Sequence, residues 1–275
     1  MAKNAFVIDV GRCNGCHCCQ IACKDEHVGN DWTPYAKPQP DTGQFWLKLH
    51  EYVRGTVPKV KMHYMAMLCQ HCDEAPCMAA CKIDGAIYKR DDGLVIIDPE
   101  KCTGCRTCLD ACPYDVIYFN EDLNLAQKCT GCAHLLDDGW EVPRCADICP
   151  TQAIRFGRES EFADILGEAT LLGPANETRP RVYYLRVPKK FVGGLVYDPI
   201  KKEIVKRARC TLTDSGDGGT RTTTTDGFGD FWFEGLGEGT FSLTIEADGF
   251  ESLTFASLET TEDVNLGEIP LNPRN

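Results

Sequence analysis

The sequence predicts an α+β fold in two parts, a duplicated small module rich in cysteine followed by an all-β unit. Three observations predict it. Seventeen of the 18 cysteines lie in the first 150 residues. The segment VIDVGRCNGCHCCQIAC, from Val7, returns as IIDPEKCTGCRTCLDAC, from Ile96, with Asp9 and Asp98 each four residues ahead of the first cysteine. After residue 190, runs such as DFWFEGL and GTFSLTIEA alternate with period two between the glycine-rich turns DGFGD and GEG, the pattern of strands joined by hairpins.

In the first part each module reads as a short strand, a cysteine loop and a short helix. Hairpins lie between, as in GAIYKRDDGLVIID, where Asp92-Gly93 supplies the turn. Sixteen of the cysteines form four groups of four: Cys13, Cys16, Cys19, Cys23; Cys69, Cys72, Cys77, Cys81; Cys102, Cys105, Cys108, Cys112; and Cys129, Cys132, Cys145, Cys149. Groups one and three share CxxCxxCxxxC, the run in which three thiolates hold one iron–sulfur cluster and the fourth reaches to another.

Thiols also staple secreted folds or bind zinc. A disulfide framework suits short secreted chains, whereas this one has 275 residues and opens MAKNAFVIDV, without a charged region and an apolar signal core. Zinc ribbons account for paired CxxC units but not for a third cysteine three residues on and a fourth four residues beyond. Four [4Fe–4S] clusters fit the spacing. Modules this small bury little hydrocarbon, so ligation is expected to supply much of the folding energy.

Composition sets outer bounds. With 43% hydrophobic and 25% charged residues the chain reads as a soluble globular protein of two domains. The longest apolar runs, such as LVII at 94–97, are strand-sized, so no membrane span is expected. The formal charge of −12 becomes about eight units more negative once sixteen thiolates meet four cubane cores, which argues against a nucleic-acid partner.

Matching group one to group three leaves Cys18 spare, read as a small buried hydrophobe, and Cys210 reads as core. Arg12, Lys101 and Lys128 precede first cysteines, and Lys24 and Lys82 follow fourth ones. Two readings stand for each, a charge that raises a cluster's potential or a solvated side chain. His71, inside CQHC, is expected to support or pack rather than ligate, since its group already has four thiols.

These four groups resemble the electron-transfer subunits that accompany molybdenum or tungsten bis-pterin enzymes of the dimethyl sulfoxide reductase family, over about residues 5–160. The resemblance implies crossed ligand sets. These are Cys13, Cys16, Cys19 with Cys149; Cys129, Cys132, Cys145 with Cys23; Cys69, Cys72, Cys77 with Cys112; and Cys102, Cys105, Cys108 with Cys81. It also implies clusters strung in a line and a large catalytic partner bearing a bis-pterin guanine dinucleotide cofactor, with no catalytic residue in this chain.

QKCTGCAHLLDDGWEVPRCA (127–146), RPRVYY (179–184) and the C-terminal segment are similar to the small subunits of pyrogallol–phloroglucinol transhydroxylase and of hydroxylases acting on phenols such as resorcinol. In the transhydroxylase the fourth cysteine set is incomplete, and here it is whole. Moving a hydroxyl between two aromatics needs no complete wire. Hydroxylation by water does, because two electrons must leave for an outside acceptor. The expectation is therefore a hydroxylase relay, with a transhydroxylase subunit, a respiratory molybdenum reductase subunit, or a protein whose clusters only hold the fold as alternatives. Absence of an export signal places it in the cytoplasm, or outside it if carried folded by a partner with a twin-arginine signal.

The expected divisions are 1–157 for the cluster domain, 158–189 for a helical or extended linker and 190–275 for the β domain. Within 158–176 a short helix is expected to end at Gly173-Pro174. Residues 179–209 carry ten basic against two acidic side chains, and 210–275 two basic against thirteen acidic. The basic stretch either packs on something negative or is a solvated face. TTTTDGFGDFWFEGLGEGTFSLTIEADGF resembles the β-sandwich of collagen-adhesin B-type and carboxypeptidase regulatory-like domains. Asp226 and Asp230 read as turn formers rather than calcium ligands.

Overall fold

The computed structural model describes residues 3–274. The chain divides into two compact units, Met1–Tyr52 with His63–Val187, and Val53–Met62 with Pro188–Asn275. Strands outnumber helices in both.

The first unit runs β1 (Asn4–Asp9), α1 (Cys18–His27), β2 (Leu47–Thr56), β3 (Lys59–Leu68), α2 (Pro76–Ala80), β4 (Ile87–Lys89), β5 (Val95–Ile97), α3 (Thr107–Asp110), β6 (Tyr118–Asn120) and β7 (Leu125–Gln127). It continues with α4 (Ala133–Asp137), α5 (Arg144–Asp147), β8 (Ile154–Arg158), α6 (Ala163–Leu166) and β9 (Val182–Leu185). The apolar run of β1 is buried, and as the middle strand of three it has both edges hydrogen-bonded. It lies antiparallel to β8, with Ile8 opposite Ile154, and parallel to β9, with Ile8 opposite Tyr184. The pairs β4–β5 and β6–β7 are three-residue hairpins, the first turning through Asp92-Gly93 with Gly93 at φ 91°.

The duplication is visible in the backbone. Asp9 donates its N–H to the carbonyl of Ala153 at 2.7 Å, and Asp98 donates to Ala86 at 2.8 Å. Thiols count among the core: Cys19, Cys23, Cys69, Cys129 and Cys145 are packed with Phe6, Trp46, Leu68 and Tyr184.

Residues 158–187 belong to this unit, with β9 one of its sheet strands. The expected helix ends at Leu166 rather than at Gly173-Pro174. Gly173, at φ 53°, instead precedes a 3₁₀ turn with Pro174 in its first position, where the ring suits helical φ and no N–H is missed. Part of the basic stretch pairs here: Arg181 chelates Asp73 at 2.7 and 2.8 Å, and Arg186 grips Asp9.

The second unit holds β10 (Lys190–Asp198), β11 (Glu203–Ile204), β12 (Arg209–Asp214), β13 (Thr220–Thr224), β14 (Asp230–Leu236), β15 (Thr240–Glu246), β16 (Leu253–Glu259) and β17 (Val264–Pro270). One sheet is ordered β11-β10-β14 with β17 paired to β10, and the other β13-β12-β15-β16. Alternate residues of both, such as Val192, Phe231 and Ile269 facing Cys210, Leu212 and Leu243, enclose one core. Cys210 is fully buried there.

The tip of the β2–β3 hairpin belongs to this unit, which its sequence did not announce. Arg54 binds Asp263 through two nitrogens, the buried Lys59 pairs with Asp230, and Lys59 and Lys61 lie 5.0 and 4.7 Å from the Trp232 ring centre. Asp226 accepts the N–H groups of Phe228 and Asp230 at 2.8 and 3.0 Å, the work of a turn former.

Candidate iron–sulfur centre

The cysteine loops share one backbone device. In CNGC, CTGC and CTGC the glycines Gly15, Gly104 and Gly131 stand at φ 74°, 73° and 64°. A Cβ on Gly15 would meet the Tyr64 ring at 2.5 Å, and one on Gly131 would meet Leu94 at 2.7 Å. A second left-handed residue follows, His17, Arg106 or Cys132, and the helix begins directly after it. In the second group the glycine position is filled by His71, at φ 45°. The turn aims peptide N–H groups at sulfur: Gly131 donates to Cys129 Sγ at 3.3 Å and His71 to Cys69 Sγ at 3.4 Å. Such donors suit a sulfur that carries negative charge.

In two places the last cysteine of one group shares a cavity with the first three of another. Cys69, Cys72, Cys77 and Cys112 line one cavity. Cys81, Cys102, Cys105 and Cys108 line a second. On the facing α1 and α5 side, Cys13 is raised by burial and then by Cys149 and Cys16, and Cys19 is pushed up to about 12 by burial, Cys13 and Cys149. Cys23 lies well above its ordinary value through burial and then Cys129 and Cys132, and Cys145 through burial, Cys132, Cys129 and Cys23. Burial and the next thiol likewise hold Cys77 and Cys132 at about 12 and Cys72, Cys108 and Cys129 at about 11.

Thiols so placed stay protonated until a cation replaces the proton, so loading releases protons. Among the described residues no three His, Cys, Asp or Glu side chains gather closely enough for a single metal ion. Four cysteines on each of two cavities form an all-sulfur donor set, which fits an iron–sulfur core.

Around the thiols the predicted side chains separate. Lys128 is buried and donates to the carbonyls of Val95 and Cys129. Lys24 is half-buried and donates to the carbonyls of Pro40 and Gln44. Arg12, Lys82 and Lys101 are exposed. His71 is buried, takes the Val95 N–H on Nδ1 at 3.0 Å, and is held neutral by burial and then by Lys128. Its Nε2 and the hydroxyl of Thr130 have no hydrogen-bond partner. Cys18 is half-buried beside Cys16 in the first turn of α1, not the buried hydrophobe expected, because the helix start faces outward there.

Two residues escaped the sequence reading. Lys89 donates to the Cys72 carbonyl at 2.7 Å, and Tyr114, on the wall of the first cavity, reaches the Leu172 carbonyl at 3.2 Å. Nothing in their local sequence signals either contact.

Comparison with known proteins agrees with the thiol geometry. Residues 60–159 match the 4Fe–4S dicluster domain, and residues 192–271 the carboxypeptidase regulatory-like domain. The chain is 38% identical to the pyrogallol hydroxytransferase small subunit of Pelobacter acidigallici, across 98% of this chain and 100% of that one. It is 33% identical to a tetrathionate reductase subunit of Salmonella typhimurium, across 70% of this chain and 76% of that one. An anaerobic dimethyl sulfoxide reductase chain of Escherichia coli is 32% identical, across 64% of this chain and 85% of that one. No helix among the described residues is long and apolar enough to cross a membrane. With a relative 38% identical along its whole length and others over about two thirds of it, the chain belongs to the iron–sulfur subunits of dimethyl sulfoxide reductase-type molybdoenzymes, the family of the pyrogallol hydroxytransferase small subunit.

Proposed function

We propose that this chain is a four-cluster electron relay for a molybdenum, or tungsten, bis-pterin subunit that hydroxylates a phenolic substrate. The sets are Cys13, Cys16, Cys19, Cys149; Cys23, Cys129, Cys132, Cys145; Cys69, Cys72, Cys77, Cys112; and Cys81, Cys102, Cys105, Cys108. The observation that supports the reading is that Cys112 shares a cavity with Cys69, Cys72 and Cys77, and Cys81 one with Cys102, Cys105 and Cys108, with Cys149 acting on Cys13 and Cys129 and Cys132 on Cys23. Bound [4Fe–4S] clusters supply one-electron oxidation and reduction.

The protein's part is to hold them at short intervals and keep water away. Cys69 acts on Cys129, and Cys19 on Cys145, which supports a row in the order Cys81 set, Cys69 set, Cys23 set, Cys13 set. Cys16 and Cys105, from the two outer sets, are the exposed ones, which suits entry and exit at opposite ends. The C-terminal unit, with the connectivity of a regulatory-like β-sandwich, has no catalytic constellation and serves structure or docking. The cytoplasm is the compartment the reduced thiols suit.

A transhydroxylase subunit is the second reading, favoured by the full-length similarity to the pyrogallol hydroxytransferase small subunit. One experiment separates the two. The chain is purified with whatever co-elutes, assayed for iron, sulfide, molybdenum and tungsten, and the complex is offered phenols with an artificial electron acceptor. Phenol-dependent reduction of the acceptor with about sixteen irons per chain supports the relay. Hydroxyl exchange between two phenols without acceptor reduction supports the transhydroxylase.

A further inference from the structure

Resting on the four-cluster reading, we infer that Lys128 is a shared electrostatic tuner whose fixed positive charge raises the reduction potentials of the two inner clusters together. The residue is 2% exposed. The ammonium donates to the carbonyl of Val95, on the wall of the Cys69 cavity, and to that of Cys129 at 3.0 Å. Val95 lines the cavity of one inner set and Cys129 belongs to the other. Among the described residues no carboxylate forms an ion pair with it.

A buried ammonium without an anion costs several kcal/mol, and a chain that keeps one has something negative for it to face. Here the ammonium is held by two backbone carbonyls, those of Val95 and Cys129, which orient it without neutralising it. The other candidate cations differ in kind. Arg12, Lys82 and Lys101 are exposed, where water and salt screen them, and Lys24 is held by two carbonyls at half burial. An electron arriving on either inner cluster therefore meets a desolvated positive charge. Lys89 also reaches the Cys69 set, through the Cys72 carbonyl, but Asp73 pairs with it at 2.7 Å.

The test is a potentiometric titration of the co-purified complex, read by electron paramagnetic resonance, for wild type, Lys128→Met and Lys128→Arg. Two of the four midpoint potentials should fall in Lys128→Met, each by about tenfold in its equilibrium, or 59 mV for one electron. The other two should hold, and Lys128→Arg should restore the pair. Four unmoved potentials overturn the inference, as does an arginine variant shifted as far as the methionine one, which would mean packing. Should Lys128→Met lose iron, Lys128→Gln, which keeps a donor for the two carbonyls without the charge, is titrated in its place: two lowered potentials support the inference and four unmoved ones overturn it. Wild-type iron well below about sixteen per chain would instead sink the four-cluster reading itself.

Discussion

Arg90 and Asp137 form a two-pronged ion pair, Nη1 to Oδ2 at 2.8 Å and Nη2 to Oδ1 at 2.7 Å. It ties the β4–β5 turn of one half of the cluster unit to α4 of the other. The Arg90 guanidinium holds the Asp137 carboxyl down at about 2, with burial opposing and Tyr35 assisting. Asp137 is 43% exposed, so solvent screens the pair. Asp137→Asn should cost about 0.5–1 kcal/mol in denaturant unfolding, with iron content unchanged.

Acid should weaken the same unit through His27. Burial, and then His134, lowers its imidazole from the ordinary 6.5 to about 3. A group with a depressed folded value takes up its proton in the unfolded chain first, so stability is whole above 6.5 and is lost as pH falls toward 3. The slope is about 1.4 kcal/mol per pH unit per proton. Unfolding of the holoprotein followed by visible absorbance between pH 7 and pH 5 checks this, and His27→Phe should flatten the dependence.

Cysteine variants separate ligands from the spare thiol. Cys149→Ser should remove about four irons and one reduced-cluster signal, even though the altered residue is 130 positions from its nearest predicted partner, Cys19. Cys18→Ser should keep both iron and spectrum. Iron analysis of the two purified variants beside wild type is sufficient.

In the second unit, Lys59 is 4% exposed in its side chain and its partner Asp230 is 28% exposed. Asp230→Ala strands a buried charge and should cost about 3 kcal/mol or more, whereas Lys59→Met leaves a carboxylate that water can reach and should cost less. Denaturant titration followed by tryptophan fluorescence orders the two variants.

What the sequence disclosed was whatever depends on spacing along the chain. The four thiol groups, the turn at Asp92-Gly93, the Asp9 and Asp98 repeat and the burial of Cys210 all follow from local pattern. Contacts between distant segments stayed hidden. Nothing in RVYYL says that β9 pairs with β1 some 176 residues earlier, or that a hairpin tip near Pro58 joins a C-terminal β unit. Lys24, Lys82, Lys101, Arg12 and Lys128 are alike in sequence, and only packing makes Lys128 the buried one. His71 in a left-handed position was legible in principle, since its three counterparts are glycines, but the comparison needs all four loops aligned on backbone shape.

The central claim is that sixteen thiols, grouped by crossing over, hold four cubane clusters. Iron and acid-labile sulfide counted on the purified complex, with zinc measured alongside, test it most directly. About sixteen of each per chain and no zinc is the predicted result, and about twelve irons, or zinc in place of iron, would contradict it.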